Sequence, residues 1–312
     1  MPGSGHLLSG QTLYLKLRDD ARTVDDLTIR NKDGSLAFGV KMANGTNSIR
    51  PGGGAFPGTR AKSAAMARAL FLRAQEYRDK VKAAGSDKTK LPPRDLGLEM
   101  MVEVLDGKRV VHHHTHRHDD IVTVLRLAKE FGFRVVLQHV SEGWKVADEI
   151  ARAGVPCSVI VIDSPGGKLE AIDMRLETGA TLSKAGALVG FHTDDYITDS
   201  RLFLRSAALA VRAGMDRQKA LEAMTLAGAK MLDLQDRIGT LESGKDADFL
   251  LLSGDPLSVY AQVLETYVEG RKVFDRADPK DRLIATGGYG ATRDQVAHLD
   301  CFGDDHGHGG GK

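Results

Sequence analysis

Residues 109–162 read RVVHHHTHRHDDIVTVLRLAKEFGFRVVLQHVSEGWKVADEIARAGVPCSVIVI. Three short apolar runs (109–114, 134–139 and 155–162) are separated by two segments long enough for helices, 119–131 and 143–153. A strand–helix–strand–helix–strand rhythm of this kind predicts parallel strands joined by crossover helices. The third run is almost wholly apolar, as expected of a strand covered on both faces.

The same rhythm extends both ways. Upstream, the turn signal Asp33-Gly34 precedes a strand at 36–41 and a Gly/Pro-rich loop at 45–58. Thr59 or Ser63 can then cap a helix with Met66, Leu70, Ala74, Tyr77 and Val81 at helical spacing, ending at Gly85. Pro92-Pro93 leads to a short helix closed by Gly107. Downstream, helical stretches at 169–176 and 181–185 precede a strand at 187–192, followed by helices at 200–213 and 216–232. The total is five β/α units. After Gly239 a turn introduces short strands at 249–252, 263–268 and 272–274, with a hairpin at Glu269-Gly270. From about Asp278 periodicity is lost, and the Gly/His-rich end, with His306 and His308, predicts a solvated, disordered tail. The first residues, Met1 to His6, read as a loop without a basic or apolar targeting region, and strand-like alternation begins at 12–17.

The 43 Lys and Arg balance 42 Asp and Glu in 312 residues, which argues against nucleic acid or an anionic membrane surface as the main partner. No apolar run approaches the roughly 20 residues that span a bilayer. Two cysteines, Cys157 and Cys301, cannot build a disulfide framework. The 11 histidines are more informative, because they cluster.

Lys41, His114, His139 and Asp194 all fall where predicted strands end. In parallel β/α folds these ends open onto variable loops, and functional residues collect there. Imidazole with carboxylate suits Zn, Mn or Fe better than Ca or Mg. Along a strand His112, His114 and His116 point one way and His113 the other, so one or two of them can face a single site. Asp119 and Asp120 read as the cap and first turn of the following helix. His192 reads as a ligand or, in preference, as a neighbour packed beside Asp194, and Asp195 as a loop residue or a support for it.

These residues bring a family into view. His114-Thr115-His116-Arg117-His118-Asp119-Asp120-Ile121, Val136-Leu137-Gln138-His139, Phe191-His192-Thr193-Asp194 and the run from Ile238-Gly239-Thr240 to Asp246-Ala247-Asp248-Phe249 resemble the amidohydrolase superfamily, in its imidazolonepropionase-like or prolidase-like branch. The resemblance covers about residues 36–275. It implies strands four to eight of a (β/α)8 TIM-type barrel, a partial barrel at 36–237, followed by half of a small β-sandwich at 238–276. Residues 1–35 would precede the barrel units, and 277–312 would form the tail. It further implies one or two divalent ions, zinc foremost, with His114 and His139 as ligands and Asp194 as both ligand and proton shuttle. Lys41 would be a carboxylated bridging ligand, or else a lysine paired with a carboxylate. Arg117 would bind a substrate carboxylate, or else pair with Asp119 or Asp120.

The family's His-x-His pair on the first strand has no counterpart upstream of Lys41, which predicts that Met1 is an internal methionine of a longer enzyme. The leading expectation is metal-dependent hydrolysis of a non-peptide C–N bond in a small-molecule amide or cyclic amide. A prolidase-like dipeptidase and a catalytically inactive fragment or binding scaffold are the alternatives. A homo-oligomer is compatible with either enzyme reading, and the compartment stays open between cytoplasm and export.

Overall fold

A computed structural model describes residues 3–31, 33–49, 57–161, 168–195 and 197–287. Six strands form one sheet in chain order: β1 (Leu8–Leu13), β2 (Phe38–Ala43), β3 (Val110–Thr115), β4 (Val135–His139), β5 (Cys157–Ile160) and β6 (Val189–His192). β1 runs antiparallel to β2, and β2 to β6 are mutually parallel. The order never reverses. A doubly wound sheet reverses at a switch point, whereas sequential winding is what a barrel wall has.

The pairing register sorts the side chains into two faces. Val40, Met42, Val111, Val135, Leu137, Cys157, Val159, Val189 and Phe191 belong to the main hydrophobic core, together with residues of the crossover helices. Lys41, His112, His114, Gln138, Ser158 and His192 alternate with them and take the other face. One face therefore carries stability and the other carries the polar groups.

The helix Arg60–Ala84 starts at Thr59, whose hydroxyl accepts from the Lys62 amide, and stops at Gly85 with φ 55°. Phe71 is fully buried from this helix and stacks on Phe131 and Phe133. The helix expected from Asp119 begins instead at His118, with Arg117 at the N-cap. Arg117 makes no side-chain cap; Glu142 Oε2 accepts from the His118 amide at 3.0 Å, so a neighbouring loop meets the need for which Asp119 was expected. The single helix expected at 216–232 is two, Arg217–Ala223 and Leu226–Met231. They part at Thr225, whose hydroxyl bonds back to the Leu221 carbonyl. The strand expected at 155–162 is shorter because Pro156 has no amide to donate, and Ile162 lies outside the described residues.

A second, antiparallel sheet holds β7 (Phe249–Leu252), β8 (Val263–Val268) and β9 (Arg271–Asp275) in that order. Its β8–β9 hairpin turns at Glu269-Gly270, both with positive φ, as a two-residue turn of matching twist requires. Where a structureless tail was expected from 277, the helix Pro279–Thr286 forms, with Asp278 capping the Lys280 and Asp281 amides and Pro279 in the first turn. It buries none of its residues, so no apolar stripe announced it. Cys301, His306 and His308 lie outside the described residues. No helix among the described residues is long and apolar enough to cross a membrane.

The N-terminal segment binds the two sheets together with its polar residues. Thr12, Tyr14 and Lys16 are buried while Leu13, Leu15 and Leu17 are exposed, the inverse of a hydrophobic alternation. Each buried group has a partner: Thr12 accepts from the Gly39 amide, Tyr14 bonds His112, and Lys16 pairs with Asp246 and, at 2.9 Å, with Asp248. Removing one partner of a buried ion pair leaves the other uncompensated. Lys16→Ala is therefore expected to lower unfolding stability by roughly 3 kcal/mol in urea titration; an unchanged midpoint would show that the pair contributes nothing.

Candidate metal centre

Two of the expected ligands meet at the carboxyl ends of β3 and β4. The His114 and His139 rings lie 4.4 Å apart between centroids. A third ring joins them: His116 stands 4.7 Å from His114 and 5.0 Å from His139. One nitrogen from each of the three lies within 4.8 Å of the others. His116 was not singled out as a ligand from sequence, although its spacing from His114 already put both on one strand face.

His139 reaches this cluster against the alternation of its strand. Its register partner, Val159, belongs to the helix-covered face. His139 and Val140 instead adopt φ 73° and 45°, which breaks the pleat and brings the ring among the others. Hydrogen bonds hold this turn: the Val140 amide donates to Thr115 O at 3.0 Å, and the Glu142 amide to His116 O at 2.9 Å. Non-glycine residues in this region cost of order 1–3 kcal/mol each and gather at functional sites. Asp194, just past β6, shares the feature with φ 49°.

The electrostatics suit a cation. Among the described residues neither ring nitrogen of His114 has a hydrogen-bond partner, nor has His116 Nε2, although all three atoms are buried. His116 Nδ1 is engaged by Ser141 Oγ at 2.7 Å, which turns Nε2 toward the cluster. Burial holds His114 and His139 well below the usual imidazole range, and neighbouring histidines and Lys41 add to it. His116 is held at about 3 by burial and then by Lys168. These rings are neutral at pH 7, the form that donates a lone pair to a metal. A buried, uncharged imidazole whose lone-pair nitrogen lacks a protein partner is costly unless something ligates it, so the residues present fit a divalent ion.

Asp194 Oδ2 approaches His139 Nδ1 to 3.8 Å, and its carboxylate stays half exposed. Burial raises its pKa, opposed by Lys41 and Lys168. Lys41 is buried on the same face and forms no hydrogen bond or ion pair among the described residues. Desolvation lowers its pKa to about 8, with Asp194 acting in the opposite sense. Among the described residues, the carboxylate that acts on Lys41 is Asp194, without a direct ion pair. Arg117 is committed elsewhere: its Nε and an Nη each donate to Asp119 at 3.0 Å, the ion pair held as the alternative to a substrate contact. His112 lies one step deeper, between Tyr14 Oη at 2.7 Å and Gln138 at 3.3 Å. His113 faces away and bonds the His114 carbonyl. Both are structural.

Comparison with known proteins places this geometry. The amidohydrolase family profile matches residues 90–274. A crystal structure of an amidohydrolase from Thermotoga maritima superimposes with a TM-score of 0.81 at 35% identity, over 88% of this chain and 70% of that one. The chain belongs to the amidohydrolase family. Amidohydrolase tasK of Hapsidospora irregularis is 25% identical over 294 residues, 88% of this chain but 30% of its own length. Adenine deaminase 2 of Shouchella clausii is 40% identical over 94 residues, 28% of this chain and 16% of that protein. The chain therefore spans less than a third of either curated relative.

The buried histidines also make stability depend on acid. His112 and His113 are held at about 4, and His116 and His192 at about 3, against 6.5 in an unfolded chain. Between those values the unfolded state binds more protons, so stability is present at neutral pH and is lost as pH falls. Each such histidine contributes a slope of about 1.4 kcal/mol per pH unit. Urea midpoints of metal-free protein are expected to fall steeply from pH 6.5 to pH 5; a flat profile would mean that these rings are accessible to solvent protons.

Proposed function

We propose that this amidohydrolase-family chain carries the metal-binding face of a hydrolase that cleaves a C–N bond of a small-molecule amide or cyclic amide. The observation that carries the reading is the buried three-histidine cluster, in which neither His114 nitrogen has a hydrogen-bond partner among the described residues. On this reading β2 to β6 are strands four to eight of a (β/α)8 barrel, and β7 to β9 belong to the accompanying β-sandwich.

His114, His116 and His139 would hold a divalent ion, zinc foremost, with Asp194 beside His139. Such an ion, when bound, supplies Lewis acidity that makes water nucleophilic near neutral pH and polarises the carbonyl. Asp194 does the proton work. Its half-exposed carboxylate, 3.8 Å from His139 Nδ1, accepts the proton of the attacking water and returns it to the leaving nitrogen. A raised pKa favours that role, because a stronger base takes the proton more readily and still releases it. Lys41 supports a second-ion site: with its pKa at about 8, a sizeable fraction of the amine is neutral at physiological pH, the form that reacts with carbon dioxide to give a carbamate.

Two measurements test this. Purified protein analysed for metals is expected to hold close to one equivalent of Zn, Mn or Fe; less than about a tenth would remove the enzyme reading and favour a scaffold. In an active preparation, screened on N-acyl amino acids, imidazolones and Xaa-Pro dipeptides, Asp194→Asn is expected to lower kcat by at least about 100-fold with metal content largely kept. Near-wild-type rates would contradict the proton-shuttle role.

A further inference from the structure

His192 lies on the polar face of the sheet, two strands from β4, and nothing in the proposed chemistry uses it. It is nonetheless held at both nitrogens. Nδ1 lies 2.8 Å from Ser158 Oγ on β5, and Nε2 lies 3.0 Å from His139 Nδ1 on β4. The His139 and His192 rings meet edge-on, 4.8 Å between centroids at 63°. The chain Ser158–His192–His139 thus crosses three adjacent strands and ends on a residue of the cluster.

We infer that His192, braced by Ser158, is a positioning residue that fixes the ring orientation and tautomer of His139 and leaves His139 Nε2 to the metal. The inference rests on the metal-centre reading above and goes beyond it. With His139 Nδ1 engaged by His192, Nε2 is the nitrogen left for a ligand. A neutral imidazole that ligates through Nε2 carries its proton on Nδ1, and here Nδ1–H donates to His192 Nε2. His192 must then accept at Nε2 and carry its own proton on Nδ1, which donates to Ser158 Oγ. Each proton position follows from the one before it. Hydrogen bonds to the far nitrogen of a ligating histidine typically change metal affinity by about 10–100-fold when removed.

Ser141 meets the corresponding need for His116, by contact with a single hydroxyl. His139 has the harder requirement, because its ring reaches the cluster through a strained backbone. A side-chain brace on the far side would limit rotation about its χ angles.

The test uses the zinc-loaded protein and its variants. Chelator competition is expected to show zinc binding about 10–100-fold weaker in His192→Phe, which keeps an aromatic ring without the acceptor. Ser158→Ala is expected to shift affinity the same way by less, and Ser158→Thr to restore most of it; if His192→Phe does not fold, the serine pair decides. Long-range 1H–15N NMR of the zinc form is expected to find His192 protonated at Nδ1 and not at Nε2. Wild type that binds zinc while the variants bind as tightly overturns the inference and leaves the metal centre standing. An Nε2–H tautomer overturns it too, as does a Co2+ spectrum whose coordination number changes in His192→Phe, which would make His192 a ligand. Wild type that takes up no zinc removes the metal centre and this inference with it.

Discussion

Buried imidazole nitrogens without hydrogen-bond partners among the described residues are the constraint around which this fold is arranged. A buried donor or acceptor left unmade costs roughly 1–3 kcal/mol, and His114 and His116 together leave three such atoms among the described residues. An apolar replacement would avoid the cost. The convergence of these two rings with His139 makes sense when a cation takes one lone pair from each ring, since the same low dielectric that penalises an idle imidazole strengthens its bond to a metal.

The rest of the molecule supplies rigidity to that point. The opposite face of the sheet is packed with Val, Leu, Met and Phe against the crossover helices, so the strands are fixed from behind. At the strand ends the backbone itself is bent, with His139, Val140 and Asp194 at positive φ. Val140 is β-branched and poorly suited to that conformation, but its amide bonds to Thr115 and its full burial hold it there. Lower on the polar face, His112 is held at both nitrogens, by Tyr14 and by Gln138, unlike the His114 ring above it.

Much of this was legible in the chain. The helix Arg60–Ala84 was readable from cap to cap, because Thr59 and Gly85 act locally and the apolar spacing between them is regular. His114 and His139 were legible as strand-end residues because parallel folds place chemistry there, whereas Lys41, expected at a strand end, lies mid-strand and level with His112, because β2 runs on to Ala43. His116 was harder: alternation tells which face a residue takes, but not how far the chain past a strand end turns back toward its neighbours. The N-terminal segment alternates as expected, yet its polar side chains are the buried ones, since their partners, Asp246 and His112, lie 230 and 98 residues away. Arg117 paired locally with Asp119, as a short-range contact usually does when a longer one is not built.

The most direct test of a metal centre on this face is anomalous X-ray diffraction from crystals grown with zinc or cobalt. The account predicts one strong peak within bonding distance of His114, His116 and His139, with Asp194 alongside. A peak elsewhere on the chain with none among these three rings would contradict it.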